Sequence, residues 1–212
     1  MLFDTLLTKR TNQGDKMIKY IFLCIVIGLS IMAWSEIPIK RGPGILAEEA
    51  PKISKLISSD EINFDGNTYT THKKVDAKVR VIEKERYFLD SMSEFSSYDI
   101  LVGWGQVSDQ KNLDYINFKL SDRTFEYKNY RLPLDPDLIN NQTLLWHLIP
   151  SSEEIKNSLF TLRKGHIIEI SGYIVDVTTK TGLQWKSATS PSKSESFVNG
   201  HNIFWITSLT KK

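Results

Sequence analysis

Ser108, Asp109 and His147 are the residue types of a nucleophile, an orienting acid and a base. Together they would let an imidazole accept the hydroxyl proton as the oxygen attacks an acyl carbon. Ser108 lacks the G-x-S-x-G elbow that exposes such a nucleophile on a strand-to-helix turn. A Ser-Asp pair is equally at home in a loop turn, so an envelope hydrolase using Ser108 and His147 stands as an alternative reading, and the expectation is a protein that is not an enzyme. Metal chemistry needs convergent ligands, and His72, His147, His166 and His201 show neither an i, i+4 pair nor an HExxH spacing. Gly103-Trp104-Gly105 has no following lysine to make a phosphate cradle. No metal and no cofactor is expected.

Aromatic side chains are the stronger feature. Tyr98, Trp104, Tyr115, Phe125, Tyr127, Tyr130, Trp146, Tyr173, Trp185 and Trp205 crowd one stretch of chain. Exposed on a small barrel, such rings stack on sugars, bases or peptide side chains, whereas turned inward they fill a core. Trp104, Trp185 and Tyr173 are the candidate binding residues.

These residues must be positioned by strands. Val75, Ala77, Val79 and Val81 alternate with polar residues, as do Ile116, Phe118 and Leu120, and Thr124 to Tyr130 forms a hairpin partner after Ser121-Asp122-Arg123. A helix follows, with Ser151 and Glu154 as a capping box, Ile155, Leu159 and Leu162 on one stripe, and Arg163-Lys164-Gly165 at its end. His166 to Val177 returns to strand, with Gly172 at a bulge or barrel corner. Ile203 to Leu209 closes the chain, with Trp205 and Leu209 on one face. Three strands, a helix and two strands match a mainly β barrel, OB-like or SH3-like, with a plain α+β sandwich as the other arrangement.

Upstream, Ile21 to Trp34 contains no charge, and Lys16 and Lys19 precede it while Lys40 and Arg41 follow. With Met17 to Tyr20 it reaches the length of a membrane-spanning helix whose end lysine can snorkel. The expected layout is a cytoplasmic tail over 1–16, an anchor or signal segment over 17–35, a Pro/Gly-punctuated linker over 36–60 and the barrel over 61–212. Basic residues before the apolar run keep the N-terminus in the cytoplasm. That places the barrel on the periplasmic side of a bacterial inner membrane. Ala33-Trp34-Ser35 offers a cleavage site before Glu36, which would leave the barrel free in the periplasm, and Met17 as an alternative start would give a more ordinary signal peptide. Cys24 lies within the apolar run, so the barrel has no cysteine for a disulfide.

The charge balance bears on partners. Beyond Arg41 there are 27 − 6 = 21 basic residues and 25 − 3 = 22 acidic ones. Nucleic-acid binders concentrate positive charge to release counterions from phosphate, and no such excess exists here. Nucleic acid is therefore not expected, and an OB-like nucleic-acid module remains a third, disfavoured reading.

The stretch Tyr98 to Asp109, YDILVGWGQVSD, with the later His147-Leu148-Ile149-Pro150, resembles a family of uncharacterised bacterial proteins with an N-terminal membrane-associated or export segment. The likeness continues through Arg163-Lys164-Gly165-His166, Ser171-Gly172-Tyr173-Ile174-Val175 and Trp185-Lys186-Ser187, and covers roughly residues 42–205. The chain departs after Ser187, where the family carries an Asp-Gly turn and an Ala-Cys-Glu. The resemblance implies a bacterial source and a shared fold, and it carries no activity. The functional expectation is a non-enzymatic cell-envelope protein whose β domain binds a protein or glycan partner.

Overall fold

The computed structural model describes residues 2–129, 134–187 and 202–212, with the side chains of 15–30, 33–34 and 37 onward. Two compact units are present, residues 1–37 and 38–212. The first is helix α1, Leu2–Glu36. Along it Ile21, Phe22, Leu23, Ile25, Ile27 and Leu29 are all exposed. Among the described residues no helix is long and apolar enough to cross a membrane.

The second unit is mainly β. Its strands are β1 (Lys52–Lys55), β2 (Glu61–Phe64), β3 (Asn67–Arg86), β4 (Tyr98–Gly103), β5 (Ile116–Ser121), β6 (Thr124–Asn129), β7 (Thr143–Pro150), β8 (Ile167–Thr178), β9 (Gln184–Trp185) and β10 (Ile203–Lys211). Short helices α2 (Gln110–Leu113) and α3 (Pro136–Asn141) lie in the connections, and α4 (Glu153–Phe160) joins β7 to β8. The pairing path runs β3–β4–β7–β10–β8, and β8 pairs again with β3. Every pairing on this path is antiparallel except β7 with β10, which is parallel.

Three apolar clusters hold the domain. The central one joins Val75, Val79, Val81, Ile100, Trp146 and Phe204 to Ile155, Leu159 and Leu162 from and just beyond α4. A second packs Phe118 and Leu120 of the β5–β6 hairpin on Leu101 and Leu145. The third gathers Tyr69, Val177 and Trp205 with Met92 and Phe95 of the β3–β4 loop. Buried aliphatic rows of this kind drive folding because each apolar side chain removed from water stabilises by about 1.5–3 kcal/mol.

The expected elements fall into this frame unevenly. The alternation at Val75–Val81 is the buried face of β3, and the hairpin 116–129 forms as its own two-stranded sheet. Tyr130 lies outside the described residues. Of the three strands on the β3–β4–β7–β10–β8 path that precede the helix, two are, however, β4 and β7, which the alternation test passes over. Both are buried along almost their whole length, and a strand covered on both faces has no polar alternation to show. The helix cap is Ser152, whose Oγ accepts from the Ile155 amide, one residue later than the expected Ser151. Trp205 and Leu209 face different clusters, because a register shift between Ile206 and Ser208 turns the strand over.

Residues 39–55, read above as linker, are bonded to the domain. The Ile39 amide donates to the Lys164 carbonyl at 2.8 Å, Ala47 is fully buried, and β1 pairs with β3. Gly165, at φ +89°, sits where a Cβ would run into the Ile39 carbonyl. Gly172 is a second close approach, since a Cβ there would overlap the backbone of Trp205 on β10. Gly172→Ala should therefore part β8 from β10 and lower unfolding stability by about 2 kcal/mol or more, beyond ordinary surface substitutions. Denaturant unfolding measures it, and a loss below about 0.5 kcal/mol would contradict the packing of that pair.

Candidate functional site

Asp99 and His147 lie directly opposite one another on β4 and β7, and neither is exposed at all. Their strands are otherwise apolar, so each would be costly alone, a buried carboxylate most of all. Compensation arrives from two directions. His147 Nδ1 lies 2.9 Å from Asp99 Oδ1, and Arg123 Nη1 donates to the same oxygen at 2.7 Å. Proximity rather than a well-aligned hydrogen bond describes the His147 contact, since its angle fails where its distance succeeds.

Arg123 comes from the turn of the β5–β6 hairpin. It and Asp122 occupy left-handed backbone, φ 62° and 52°, as a two-residue hairpin turn of the primed type requires. For non-glycine residues that conformation costs roughly 1–2 kcal/mol each, so side-chain contacts must offset it. The guanidinium supplies them. It grips Asp90 with both Nε and Nη2 at 2.8 Å, donates to the Ser96 carbonyl at 2.9 Å, and stacks 3.9 Å from the Tyr87 ring centroid. The hairpin is thereby tied to the 87–97 loop and to the outer face of β4. Hydrogen bonding to Arg123 holds the Asp90 carboxyl below the ordinary aspartate value.

Of the three candidate catalytic residues, Ser108 and Asp109 are placed apart from this chemistry. Ser108 is buried and spends its hydroxyl on backbone, donating to the Gly105 carbonyl at 2.8 Å and accepting from the Leu46 and Ala47 amides at 3.1 Å. Asp109 caps α2 and accepts from the Gly44 and Lys111 amides at 2.8 and 2.9 Å. Both therefore fasten residues 44–47 to the domain. His147 belongs with Asp99. The sequence signal for that pair is an aspartate and a histidine each set in a run of apolar residues, Tyr-Asp-Ile-Leu-Val and Leu-Trp-His-Leu-Ile. Among the described residues no cluster of three His, Cys, Asp or Glu side chains could hold a metal.

The candidate binding residues divide as well. Tyr173 and Trp185 pack on the same cluster, whereas Trp104 packs against the central core. Tyr173 stands opposite Trp205 across β8 and β10, and Trp185 opposite Val177. Trp205 in turn lies 4.7 Å from the Tyr69 ring and edge-on to Phe64 at 5.3 Å, and Phe95 lies 6.5 Å from Trp185. The result is one aromatic face with a buried floor of Tyr69 and Trp205 and an accessible edge of Phe64, Tyr173 and Trp185. Phe64 is 43% exposed, and the buried Trp185 Nε1 has no hydrogen-bond partner among the described residues. Indole donors of this kind usually find an acceptor. Phe64 has no signal in the sequence, because β2 is a four-residue strand at the sheet edge with no core pattern.

No family model, curated protein or solved structure matches the chain.

Removing Arg123 would leave Asp99 as a buried, under-compensated charge. Arg123→Met is expected to lower stability by about 3–5 kcal/mol, read by urea denaturation, whereas Lys119→Met on the same hairpin should do little. Asp90 sets the pH sign. Because its folded pKa is depressed, its contribution is complete above the unfolded value near 3.8 and fades as pH falls through the folded value. Asp90→Asn should therefore cost stability at pH 7 and flatten the loss on acidification below about pH 4, as followed by thermal melts across that range.

Proposed function

We propose that this chain is a non-enzymatic bacterial cell-envelope protein, anchored by its N-terminal segment, whose β domain is an OB-like barrel that binds a glycan or protein partner through its aromatic face. The topology supports the barrel. The path β3–β4–β7–β10–β8 returns to β3; counted in chain order, its third and fifth strands, β7 and β10, are its parallel pair, and α4 falls between the third and fourth, β7 and β8. That strand order belongs to the five-stranded Greek-key barrel. Anchoring is supported by the uncharged sequence from Tyr20 to Ser35 and by apolar side chains exposed on every side of α1, which lipid accommodates and water does not. Lys9, Arg10, Lys16 and Lys19 ahead of it favour a cytoplasmic N-terminus and a periplasmic domain.

The observation that carries the binding role is the aromatic face with its accessible edge of Phe64, Tyr173 and Trp185. The outer face of β4 and β7, the usual ligand surface of such barrels, is occupied here by the β5–β6 hairpin and Arg123. Binding is thereby left to the aromatic face, which continues from Ile149 of β7 across β10 and β8, where the accessible rings can stack on pyranose faces. The near-neutral charge beyond Arg41 favours an uncharged ligand over nucleic acid.

Titration of the detergent-solubilised full chain with chitotetraose and cell-wall oligosaccharide fragments, followed by tryptophan fluorescence, tests this. Saturable binding is expected, weakened about tenfold or more by Trp185→Ala or Phe64→Ala, as losing one stacked ring costs ~1–3 kcal/mol. Cross-linked membrane pull-downs with the same variants identify a protein partner instead, if sugars do not bind. Binding indifferent to both substitutions in both experiments would end the proposal.

A further inference from the structure

Three separate pieces of chain meet at one pole of the β domain. The Ile39 amide bonds to the Lys164 carbonyl, Arg41 Nη2 donates to the Lys212 carbonyl and its Nε to the Gly165 carbonyl at 3.2 Å, and the Lys212 amide donates to the Ile167 carbonyl. Residues 39–41, 163–167 and 211–212 are thus one surface, and it is rich in cations. Lys40, Arg41, Arg163, Lys164, Lys211 and Lys212 stand there against the carboxylates Glu83 and Glu169, which pair with Lys164 and Lys212. Lys40, Lys164 and Lys212 are exposed. The electrostatics of the buried neighbour agree: burial first, then the charges of Lys211, Arg163 and Arg41, push His166 below the ordinary histidine value. A domain of nearly balanced charge, 27 − 4 = 23 basic and 25 − 3 = 22 acidic residues over 38–212, therefore places six of its cations where the chain enters it.

Position gives this pole its meaning. The domain is bonded into place from Ile39, so only Ile37 and Pro38 intervene after the last helical residue, Glu36. Two residues extended span only about 7 Å, so the entry pole follows the apolar segment closely along the chain. With the apolar segment in lipid, this pole is the part of the domain nearest in sequence to the headgroups. We propose that this pole docks on anionic phospholipid headgroups and seats the β domain on the membrane surface. This rests on the anchored reading above. Anionic lipid attracts juxtamembrane lysine and arginine within a Debye length of the surface, so exposed Lys40, Lys164 and Lys212 make the first contact, and Arg41, already held by two carbonyls, stiffens the platform.

The test uses the full chain with vesicles of phosphatidylcholine alone or with about 30% phosphatidylglycerol, in two measurements. Flotation first reports membrane association. Hydrogen exchange of the 39–41 and 163–167 amides on the floated material then reports docking. Docking predicts about tenfold slower exchange at those amides on the anionic vesicles. That protection should be lost in ~0.5 M salt and in the variant Lys40→Gln/Lys164→Gln/Lys212→Gln, and kept in the equally charge-reduced Lys111→Gln/Lys119→Gln/Lys128→Gln. Flotation on both vesicle types with no lipid-dependent protection would overturn docking and leave the anchor standing. Flotation only on anionic vesicles, abolished by the first variant, would support docking while removing the anchor. No flotation on either would overturn both.

Discussion

A single buried carboxylate organises the sheet's outer surface. Asp99 sits in a strand where every neighbour is apolar, and an ion there is tolerated only if donors surround it. One neighbouring side chain is brought by strand pairing, because register sets His147 opposite it. The other has to come from elsewhere in the chain, and Arg123 can reach only if the β5–β6 hairpin lies across β4 and β7. Phe118 and Leu120 bury themselves on Leu101 and Leu145 in the same placement. Apolar burial and charge compensation thus demand one arrangement, and each removes the alternatives of the other. The left-handed turn at Asp122 and Arg123 is the strain this arrangement tolerates.

That arrangement bears on function through occupancy. A face covered by its own hairpin cannot take a ligand, so the proposed recognition falls where rings remain accessible, around Phe64, Tyr173 and Trp185. The aromatic face and the cationic pole use different physics, stacking with directed hydrogen bonds in one case and diffuse attraction to a charged plane in the other. They need not compete, and a domain seated by its pole keeps its aromatic edge for a partner. Residues 39–55 link the two ideas. Bonded to Ser108, Asp109 and β3 rather than swinging loose, they turn a tether into part of the domain.

Residues whose meaning is local were readable from the chain. The alternation around Val75–Val81, the hairpin at 116–129 and the stripe Ile155, Leu159, Leu162 each follow from side-chain periodicity within one segment, and each appears in the fold. Gly172 was recognisable as a special position, although only the fold shows that the backbone of Trp205 is what excludes a side chain there. Five strands of the main sheet precede α4 where three strands were expected, and β4 and β7 escaped notice because they are covered on both faces and offer no period to find. Ser108, Asp109 and His147 looked like a set because their chemistries fit, yet chemistry in a list carries no distances.

The chain alone therefore determined composition-level and segment-level properties: a mainly β domain, an apolar N-terminal run, the absence of a nucleic-acid charge excess and the absence of a cysteine framework. These depend on residue types and short-range spacing, which sequence states directly. Pairing was decided by tertiary structure: Asp99 with His147 and Arg123, Phe64 with Trp205, Ser108 with residues 46–47, and Arg41 with the far end of the chain. Such partners lie up to 171 residues apart, and burial, strand register and turn geometry bring them together only when all segments fold at once.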